Sequence, residues 1–297
     1  MKKNLKAENS SNDNYLTNVK ETLCGFAARH IGLSADDINH MLDTLGYKDI
    51  DAFTEAVVPK NILNNDLPDI GEPLSEQSAL KKLKEIAIKN IVVKSMIGQG
   101  YYSGYMPNVI KRNVFENPGW YTSYTPYQAE IAQGRLEALL NYQTVICDLT
   151  GMELANASLL DEGTSAAEAL SMLHATRSRE KIKNVCNKFF IDESTFQQTI
   201  DVIETRAEPL GIEIIIGNSI DYVFDDSFFG CFTQYTSSHG SINDIEGISR
   251  KLESFDIKFV AGPDLMSLAL LKKPSLTNCE VVIGTSQRFG IPLGYGG

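Results

Sequence analysis

Four stretches of the sequence hold side chains that could do chemistry. The first is Asp161-Glu162-Gly163-Thr164-Ser165, which has the composition of a helix start. Helix N-termini bind anions through free amides, so Gly163, Thr164 and Ser165 are candidates for an anion site. Gly163 would free the backbone, and the other two would offer hydroxyl groups and amides. An ordinary helix cap explains the same residues and is the reading that the sequence signal alone favours.

The second stretch, residues 100–128, is rich in tyrosine and holds the only tryptophan of the chain. Tyrosines close to a turn often pack at an interface between domains. They can also line a pocket for a small polar substrate, to which each contributes one hydroxyl group. Composition alone leaves both interpretations open.

The other two stretches lie nearer the C-terminus. His239, in Ser237-Ser238-His239-Gly240, follows an apolar strand and could serve a site at the end of a sheet or simply occupy a turn. The last seventeen residues read VVIGTSQRFGIPLGYGG. An apolar strand there runs into a polar turn and then into glycines, which is typical of a ligand-binding loop, yet this stretch contains no lysine.

The elements that must position these residues are predicted from the alternation of short apolar runs with amphipathic stretches. The predicted helices are 195–208, one capped by Asn243-x-x-Glu246, and one from Asp264. The predicted strands are FFID, IEIII, GCFTQY, IKFVAG and CEVVIG. This alternation predicts an α/β fold with a parallel, doubly wound sheet. Ligands of such sheets bind beyond the carboxyl ends of the strands.

The rest of the chain divides into three predicted regions. These are a disordered tail (1–15), a helical N-terminal extension with the tyrosine-rich segment (16–125), and the α/β domain (126–297). Ser34-x-x-Asp37 predicts a capping box, and a longer helix is expected from Ser75 to the glycines at 98 and 100. Further helices are expected from Thr125 to Leu149, stopping at Gly151, and from near Thr164.

Composition excludes several classes of function. The net charge of −11 and the isoelectric point near 4.9 argue against a nucleic-acid-binding surface. No apolar run approaches the length needed to span a bilayer, and the first residues lack the apolar core of a secretory signal. The five cysteines have no metal-ligand spacing. We therefore expect a cytoplasmic protein with free thiols, no metal site and no membrane or nucleic-acid partner.

Several long stretches resemble a known family, the glycine dehydrogenases (decarboxylating), or P-proteins, of the glycine cleavage system. The matching stretches are FAARHIG (26–32), VVPKNI (57–62), the block from NVFENPGWYTSYTPYQ to LLDEGTSAAEA (113–169), TRAEPLGIE (205–213) and VVIGTSQRFGIPLGYGG (281–297). The resemblance covers about residues 24–297 and is to the N-terminal part of the family.

The resemblance implies a pyridoxal-phosphate (PLP)-dependent, aspartate-aminotransferase-type fold (fold type I). The small C-terminal domain of that fold would be missing from this chain. It also implies an oxidoreductase in which PLP serves as the electron sink while glycine loses carbon dioxide. The remaining methylamine group then passes to the lipoyl arm of H-protein. The implied partners are glycine, lipoylated H-protein and a catalytic C-terminal half or second subunit, which would carry the PLP lysine.

The resemblance also assigns expected roles to individual residues. Gln287 is expected to stand where the catalytic half has its Schiff-base lysine, so no catalytic residue is expected in this chain. Asp264 matches the partner of the pyridine nitrogen, and His239 is placed with it on the former cofactor side. The candidates for contacts with substrate or with the catalytic half are Tyr101, Tyr102, Tyr121, Thr122, Tyr124, Thr125, Tyr127 and Gln128.

The sequence also departs from the family pattern. Ser103, Gly104 and Tyr105 replace polar and acidic positions, and the chain stops where relatives continue, so a fragment is one expectation. Three hypotheses remain open. The chain is a non-catalytic part that works with a PLP-bearing half; it is an interaction module or inert fragment that binds that half without completing its site; or it is an autonomous PLP enzyme that uses another lysine.

Overall fold

The structure is a computed structural model that describes residue 30 and residues 32–64, 66, 69–72, 74–122, 125 and 128–293. The chain divides by contacts into two compact units, Met1–Val93 and Lys94–Gly297. The predicted disordered tail lies outside the described residues. The predicted domain boundary after residue 125 stays a prediction.

The first unit is helical in its described part. Its helices are α1 (Ala35–Leu45), α2 (Ile50–Val57) and α3 (Glu76–Ala87). The predicted capping box is confirmed, since Ser34 and Asp37 bond reciprocally at the start of α1. The predicted end of α3 is wrong. The helix stops at Ala87, whose carbonyl accepts a 3.0 Å hydrogen bond from the side chain of Asn90. The β-branched residues 91–93 that follow do not favour continuing it.

The second unit begins with helices that lead into the sheet. They are α4 (Asn108–Ile110, continued by a π-helical turn, Lys111–Phe115), α5 (Pro118–Tyr121), α6 (Ala129–Thr150), α7 (Glu162–Ala175) and α8 (Arg179–Lys183). The predicted stop of α6 at Gly151 is confirmed by its left-handed backbone, φ 77°. The predicted start is wrong, because Gln128 rather than Thr125 precedes the first turn. The predicted helix start at Asp161–Ser165 is confirmed: Asp161 caps α7, which begins two residues before Thr164.

A five-stranded parallel sheet forms the centre of this unit. Its strands are β1 (Lys188–Asp192), β2 (Glu213–Gly217), β3 (Phe228–Gln234), β4 (Lys258–Gly262) and β5 (Val281–Val282), in the order β2-β1-β3-β4-β5. Each adjacent pair is parallel. The predicted α/β class with a parallel sheet is therefore confirmed.

Apolar residues of the strands alternate between two cores, one on each face of the sheet. Phe189 and Ile191 pack with α7 and with α9 (Gln197–Ala207) on one face. Phe190 packs with α10 (Ile245–Glu253) on the other. Because helices cover both faces, all seven residues of β3 are buried. The sheet is thus the middle layer of three, which leaves its carboxyl edge available for a site.

Two further sequence predictions are wrong in detail. Asp244, not Asn243, caps α10, because the Asn243 side chain donates instead to the Gln234 carbonyl at 2.7 Å. The described residues from Asp264 to Leu293 form no α-helix; the chain forms a 3₁₀ turn, Ser267–Ala269, where the helix was expected. Leu265 and Leu268 are both buried, and their spacing of three residues matches the 3₁₀ period.

Candidate functional site

A cavity of about 400 Å³ opens at the carboxyl edge of the sheet, in the second unit. Its wall is built by the start of α7, the start of α9, the tyrosine-rich segment and the loop after β5. The described residues in the wall fall in 99–101, 142, 156–163, 165, 196, 198–199, 202, 284–287 and 291–293. This is the end of the sheet at which the fold class binds its ligands.

Gln287 lies in this wall, in the 3₁₀ turn Gln287–Phe289 after β5, and is 8% exposed. Its amide nitrogen Nε2 donates to the carbonyl of Ile291 at 2.9 Å and to that of Tyr102 at 3.3 Å. Because both partners are acceptors, they fix the orientation of the amide. The oxygen Oε1 faces no hydrogen-bond donor among the described residues.

An ion pair lies beside Gln287. Nε of Arg288 is 2.9 Å from Oδ2 of Asp264, and both side chains are largely shielded, at 16% and 25% exposure. The contact is not aligned as a hydrogen bond, so its attraction is that of two close charges. The guanidinium carbon of Arg288 also lies 3.7 Å from the centre of the Tyr102 ring, within the range of a cation–π contact.

Glu162, in the first turn of α7, adds a second carboxylate to this edge. Its Oε1 accepts from Nε2 of Gln234 at 2.9 Å, and the same nitrogen donates to the Gly262 carbonyl at 2.9 Å. Burial raises the pKa of Glu162 from 4.5 to about 7, against the opposing effects of the Gln234 hydrogen bond and the charge of Arg288. The charge of Asp264 raises this pKa further. Glu162 therefore titrates near neutral pH.

The predicted anion-site residues make hydrogen bonds within the helix start. The amide of Thr164 donates to Oδ1 of Asp161 at 2.7 Å, and the hydroxyl of Ser165 donates to the Asp161 carbonyl at 2.8 Å. A Cβ on Gly163 would lie 3.3 Å from Val202, so this glycine lets α7 pack closely against α9. The anion site therefore stays a prediction. The Asp161 carboxylate already accepts the Thr164 amide that an anion would need.

The tyrosine-rich segment packs against the start of α9 and against the loop after β5. A Cβ on Gly100, where φ is +83°, would meet the Phe196 ring at 2.9 Å. The Gln99 carbonyl accepts from the side chain of Gln198 at 2.6 Å, which ties the turn to α9. The tyrosine-rich segment also contacts the loop after β5. A Cβ on Gly290 of that loop would lie 2.8 Å from the carbonyl of Tyr105 in the segment.

Of the other described residues proposed from the sequence, only one lines the cavity. Tyr101 lines the cavity. Tyr121 and Thr122 lie exposed at the end of α5, where the Thr122 hydroxyl donates to the Pro118 carbonyl. His239 lies in an exposed turn, outside the cavity wall. The remaining candidates are Thr125 and Gln128, both exposed, and Tyr124 and Tyr127, which lie outside the described residues.

Sequence reasoning assigned no role to Glu162, Gln234, Arg288 or Thr199, although all four belong to this edge. The polar pair Thr233-Gln234 at the end of a mostly apolar strand is the local signal that could have indicated a site. Glu162 and Arg288 lie in two of the sequence stretches described above, 161–165 and 281–297. Their partners are distant in the sequence, so no neighbouring residues predict these contacts.

PLP does not fit the residues of this cavity. An imine needs an amine, and the described cavity wall contains no lysine. Asp264 faces Arg288, which would compete with a pyridine nitrogen for the carboxylate. Asp161 and Glu162 place negative charge at the helix start where a phosphate would have to bind. No step of catalysis through PLP is therefore assigned to this cavity.

The described residues contain neither a metal-binding cluster nor a membrane-spanning helix. No group of three or more His, Cys, Asp or Glu side chains is placed to hold a metal ion. Within the same residues, no helix is both long and apolar enough to cross a bilayer. The described cysteines (Cys147, Cys186, Cys231 and Cys279) are free thiols.

The fold and site define an α/β protein with a doubly wound parallel sheet and a ligand-sized cavity at its carboxyl edge. The family model "Glycine cleavage system P-protein" matches residues 28–297. The chain belongs to this family.

Individual relatives agree with that membership. The chain is 47% identical to the glycine dehydrogenase (decarboxylating) of Christiangramia forsetii over 92% of this chain, and 51% identical to that of Pelagibacter ubique over 94%. It spans about 29% of the length of each.

A solved structure agrees as well. An inhibitor-bound glycine decarboxylase (P-protein) of the glycine cleavage system matches with a TM-score of 0.79 and 27% identity. The match covers 90% of this chain and 60% of that one.

Proposed function

We propose that this chain is the N-terminal, non-lysine-bearing part of glycine dehydrogenase (decarboxylating). In the proposal, it acts with a PLP-bearing C-terminal half, in one longer chain or as a second subunit. The assembled enzyme decarboxylates PLP-bound glycine and transfers the methylamine group to the lipoyl arm of H-protein. The cytoplasmic location expected from the sequence is part of the same proposal.

The observation that carries the proposal is the environment of Gln287. An amide cannot form an imine, and hydrogen bonds to Tyr102 and Ile291 hold this one in place. The most deeply buried lysine of the described residues, Lys181, is also committed elsewhere. Its ammonium group donates to the carbonyls of Asp226, Phe228 and Phe255. The reactive amine that the family's chemistry needs is therefore expected from the other half.

Exposed apolar side chains in 100–150 support an interface with that half. On α6, Ile131, Leu140 and Val145 are exposed, as are Trp120 and Tyr121 before it. Single exposed apolar side chains are common, but several in one region are consistent with a surface that binds another protein. The proposed contacts of Tyr101, Tyr102 and the other tyrosine-segment candidates with glycine or the lipoyl arm belong to the same interface.

In a second candidate function, the chain binds the catalytic half but the complex does not decarboxylate glycine. The altered residues Ser103, Gly104 and Tyr105 lie where the family pattern has polar and acidic groups, and the backbone of Tyr105 packs against Gly290. If substrate contacts are lost there, the chain would bind the catalytic half as an interaction module without completing its active site.

Complementation separates the two candidates. The purified chain would be mixed with the C-terminal portion of the Pelagibacter ubique relative, PLP, lipoylated H-protein and glycine labelled at its carboxyl carbon. We expect a complex by gel filtration and labelled carbon dioxide above the level of either part alone. A complex without carbon dioxide release would favour the interaction module, and absence of a complex would contradict both.

A pair of matched variants locates the interface. Leu140 is 64% exposed on α6, whereas Val223 is 86% exposed in the loop after β2. Leu140→Asp places a charge in the proposed interface and is expected to weaken the complex. Val223→Asp adds the same charge outside 100–150 and is expected to leave the complex unchanged.

A further inference from the structure

The first part of the tyrosine-rich segment, residues 99–105, is attached at both of its ends. At one end, Nε2 of Gln198 on α9 donates to the Gln99 carbonyl at 2.6 Å. At the other end, a Cβ on Gly290 would lie 2.8 Å from the carbonyl oxygen of Tyr105. The two ends of this stretch are therefore held by two different elements, α9 and the loop after β5.

Arg288 and Gln287 hold the middle of the same stretch, at Tyr102. The guanidinium carbon of Arg288 lies 3.7 Å from the centre of the Tyr102 ring, and Nε2 of Gln287 donates to the Tyr102 carbonyl at 3.3 Å. One residue thus contacts the ring, and its neighbour in the sequence contacts the backbone. Together they restrict both the side chain and the main chain of Tyr102.

The two side chains that contact this tyrosine are themselves fixed. Oδ2 of Asp264 lies 2.9 Å from Nε of Arg288, while Oδ1 of the same carboxylate accepts from the Met266 amide at 2.9 Å. Nε2 of Gln287 also donates to the Ile291 carbonyl at 2.9 Å. Because each side chain has a second partner, neither can leave the tyrosine without breaking another contact.

The consequence falls on Tyr101, the neighbour of Tyr102 in the chain. Tyr101 lines the cavity at the carboxyl edge of the sheet. Its amide donates to the Gly98 carbonyl at 2.9 Å and closes a turn. The backbone of Tyr101 is therefore held by the turn on one side and by the fixed Tyr102 on the other.

We propose that Arg288 and Gln287 are positioning residues of the assembled enzyme. By holding Tyr102, they keep Tyr101 in the cavity wall before a ligand binds, so that glycine or the lipoyl arm meets a segment that is already ordered. A site that is ordered in only a fraction of the molecules binds with an affinity lowered by that fraction. This inference rests on the proposed function, because it assigns a role within the same site.

Kinetics of the complex with the C-terminal portion of the Pelagibacter ubique relative test the proposal. Arg288→Leu removes the contact with the ring, and Gln287→Met removes the donor to the Tyr102 carbonyl at nearly the same side-chain length. We expect either variant to raise KM for glycine or for lipoylated H-protein about fivefold. Once the ligand is bound, the segment is ordered in every variant, so kcat should change less than about twofold.

A matched variant and the two possible failures make this test specific. Lys272→Leu removes a cation from the exposed pair with Glu246, outside the described cavity wall, and should leave KM and kcat unchanged. Activity with wild-type KM values for both ligands in Arg288→Leu and Gln287→Met would overturn the positioning role alone. Failure of the wild-type complex to release carbon dioxide would instead contradict the proposed function.

Hydrogen exchange of the purified chain alone tests the ordering without the other half. The Tyr101 amide reports on the turn, and it should exchange about fivefold faster in Arg288→Leu and in Tyr102→Leu than in wild type. Tyr102→Phe keeps the ring that Arg288 contacts, so it should exchange at the wild-type rate. A wild-type rate in Tyr102→Leu, or a rate in Tyr102→Phe as fast as in Tyr102→Leu, would contradict the role of the ring contact.

Discussion

The carboxylate of Asp264 lies 2.9 Å from Nε of Arg288, whose guanidinium group stacks 3.7 Å from the centre of the Tyr102 ring. The family resemblance predicts that Asp264 corresponds to the residue that would pair with the pyridine nitrogen of PLP in the catalytic half, and this stays a prediction. In this chain an arginine supplies both the positive charge beside that carboxylate and the flat group on an aromatic ring. The Asp264 carboxylate is thus paired with a cation of this chain.

Removing the arginine should destabilise this loop. Arg288→Leu leaves the partly shielded carboxylate of Asp264 without its cation and removes the stacking on Tyr102. We expect a loss of about 1–2 kcal/mol in the free energy of unfolding, measured by urea denaturation. The double variant with Asp264→Asn should lose less than the sum of the two single changes.

An exposed ion pair provides the control for that experiment. Lys272 and Glu246 approach to 2.7 Å, but both side chains are nearly half exposed. Lys272→Leu should therefore cost under about 1 kcal/mol. If it costs as much as Arg288→Leu, the shielding of the Asp264 pair has no energetic consequence.

Replacing the buried Lys181 should lower the free energy of unfolding more than replacing an exposed lysine. Nζ of Lys181 donates to the carbonyls of Asp226, Phe228 and Phe255 at 3.1, 2.9 and 2.8 Å. Lys181→Met leaves these acceptors without that donor, so we expect a loss of about 3 kcal/mol by urea denaturation. Lys183→Met, exposed on the same helix, should lie within about 0.5 kcal/mol of wild type. Similar losses for both variants would contradict the structural role of Lys181.

The raised pKa of Glu162 should make stability depend on pH. The folded pKa of about 7 exceeds the ordinary value of 4.5, so the folded state holds this proton more tightly than the unfolded state. The contribution is fully present below pH 4.5 and is lost as the pH rises to about 7. Its size is roughly 3 kcal/mol at most.

Comparison with a neutral residue isolates this contribution. Glu162→Gln resembles the protonated side chain at every pH, so its stability relative to wild type should increase between pH 5 and pH 7.5. Urea denaturation at the two pH values measures the change. A difference that stays constant would show that Glu162 ionises normally in the folded protein.

Local signals predicted the framework of this fold but not the contacts of its site. The capping box at Ser34 and the stop at Gly151 depend on neighbouring residues, and both are confirmed. Asn243 was predicted to cap α10, but the carbonyl of Gln234, nine positions earlier, binds its side chain.

Glu162 and Arg288 show the same limit at the site itself. Glu162 bonds to Gln234 and Arg288 pairs with Asp264, across 72 and 24 positions of sequence. The composition of each motif is visible in the sequence, whereas these pairings depend on the order of strands in the sheet.

The central claim of the proposed function, that the PLP lysine belongs to the other half and that no lysine of the described cavity wall holds PLP, is tested most directly by titrating the purified chain with PLP. The visible absorbance of an imine would be followed, and any imine would be trapped with borohydride and located by peptide mapping. We expect no trapped PLP on the chain alone, and trapped PLP on the partner when a catalytic half is added. PLP trapped stoichiometrically on one lysine of this chain would contradict the account and would identify an autonomous PLP enzyme.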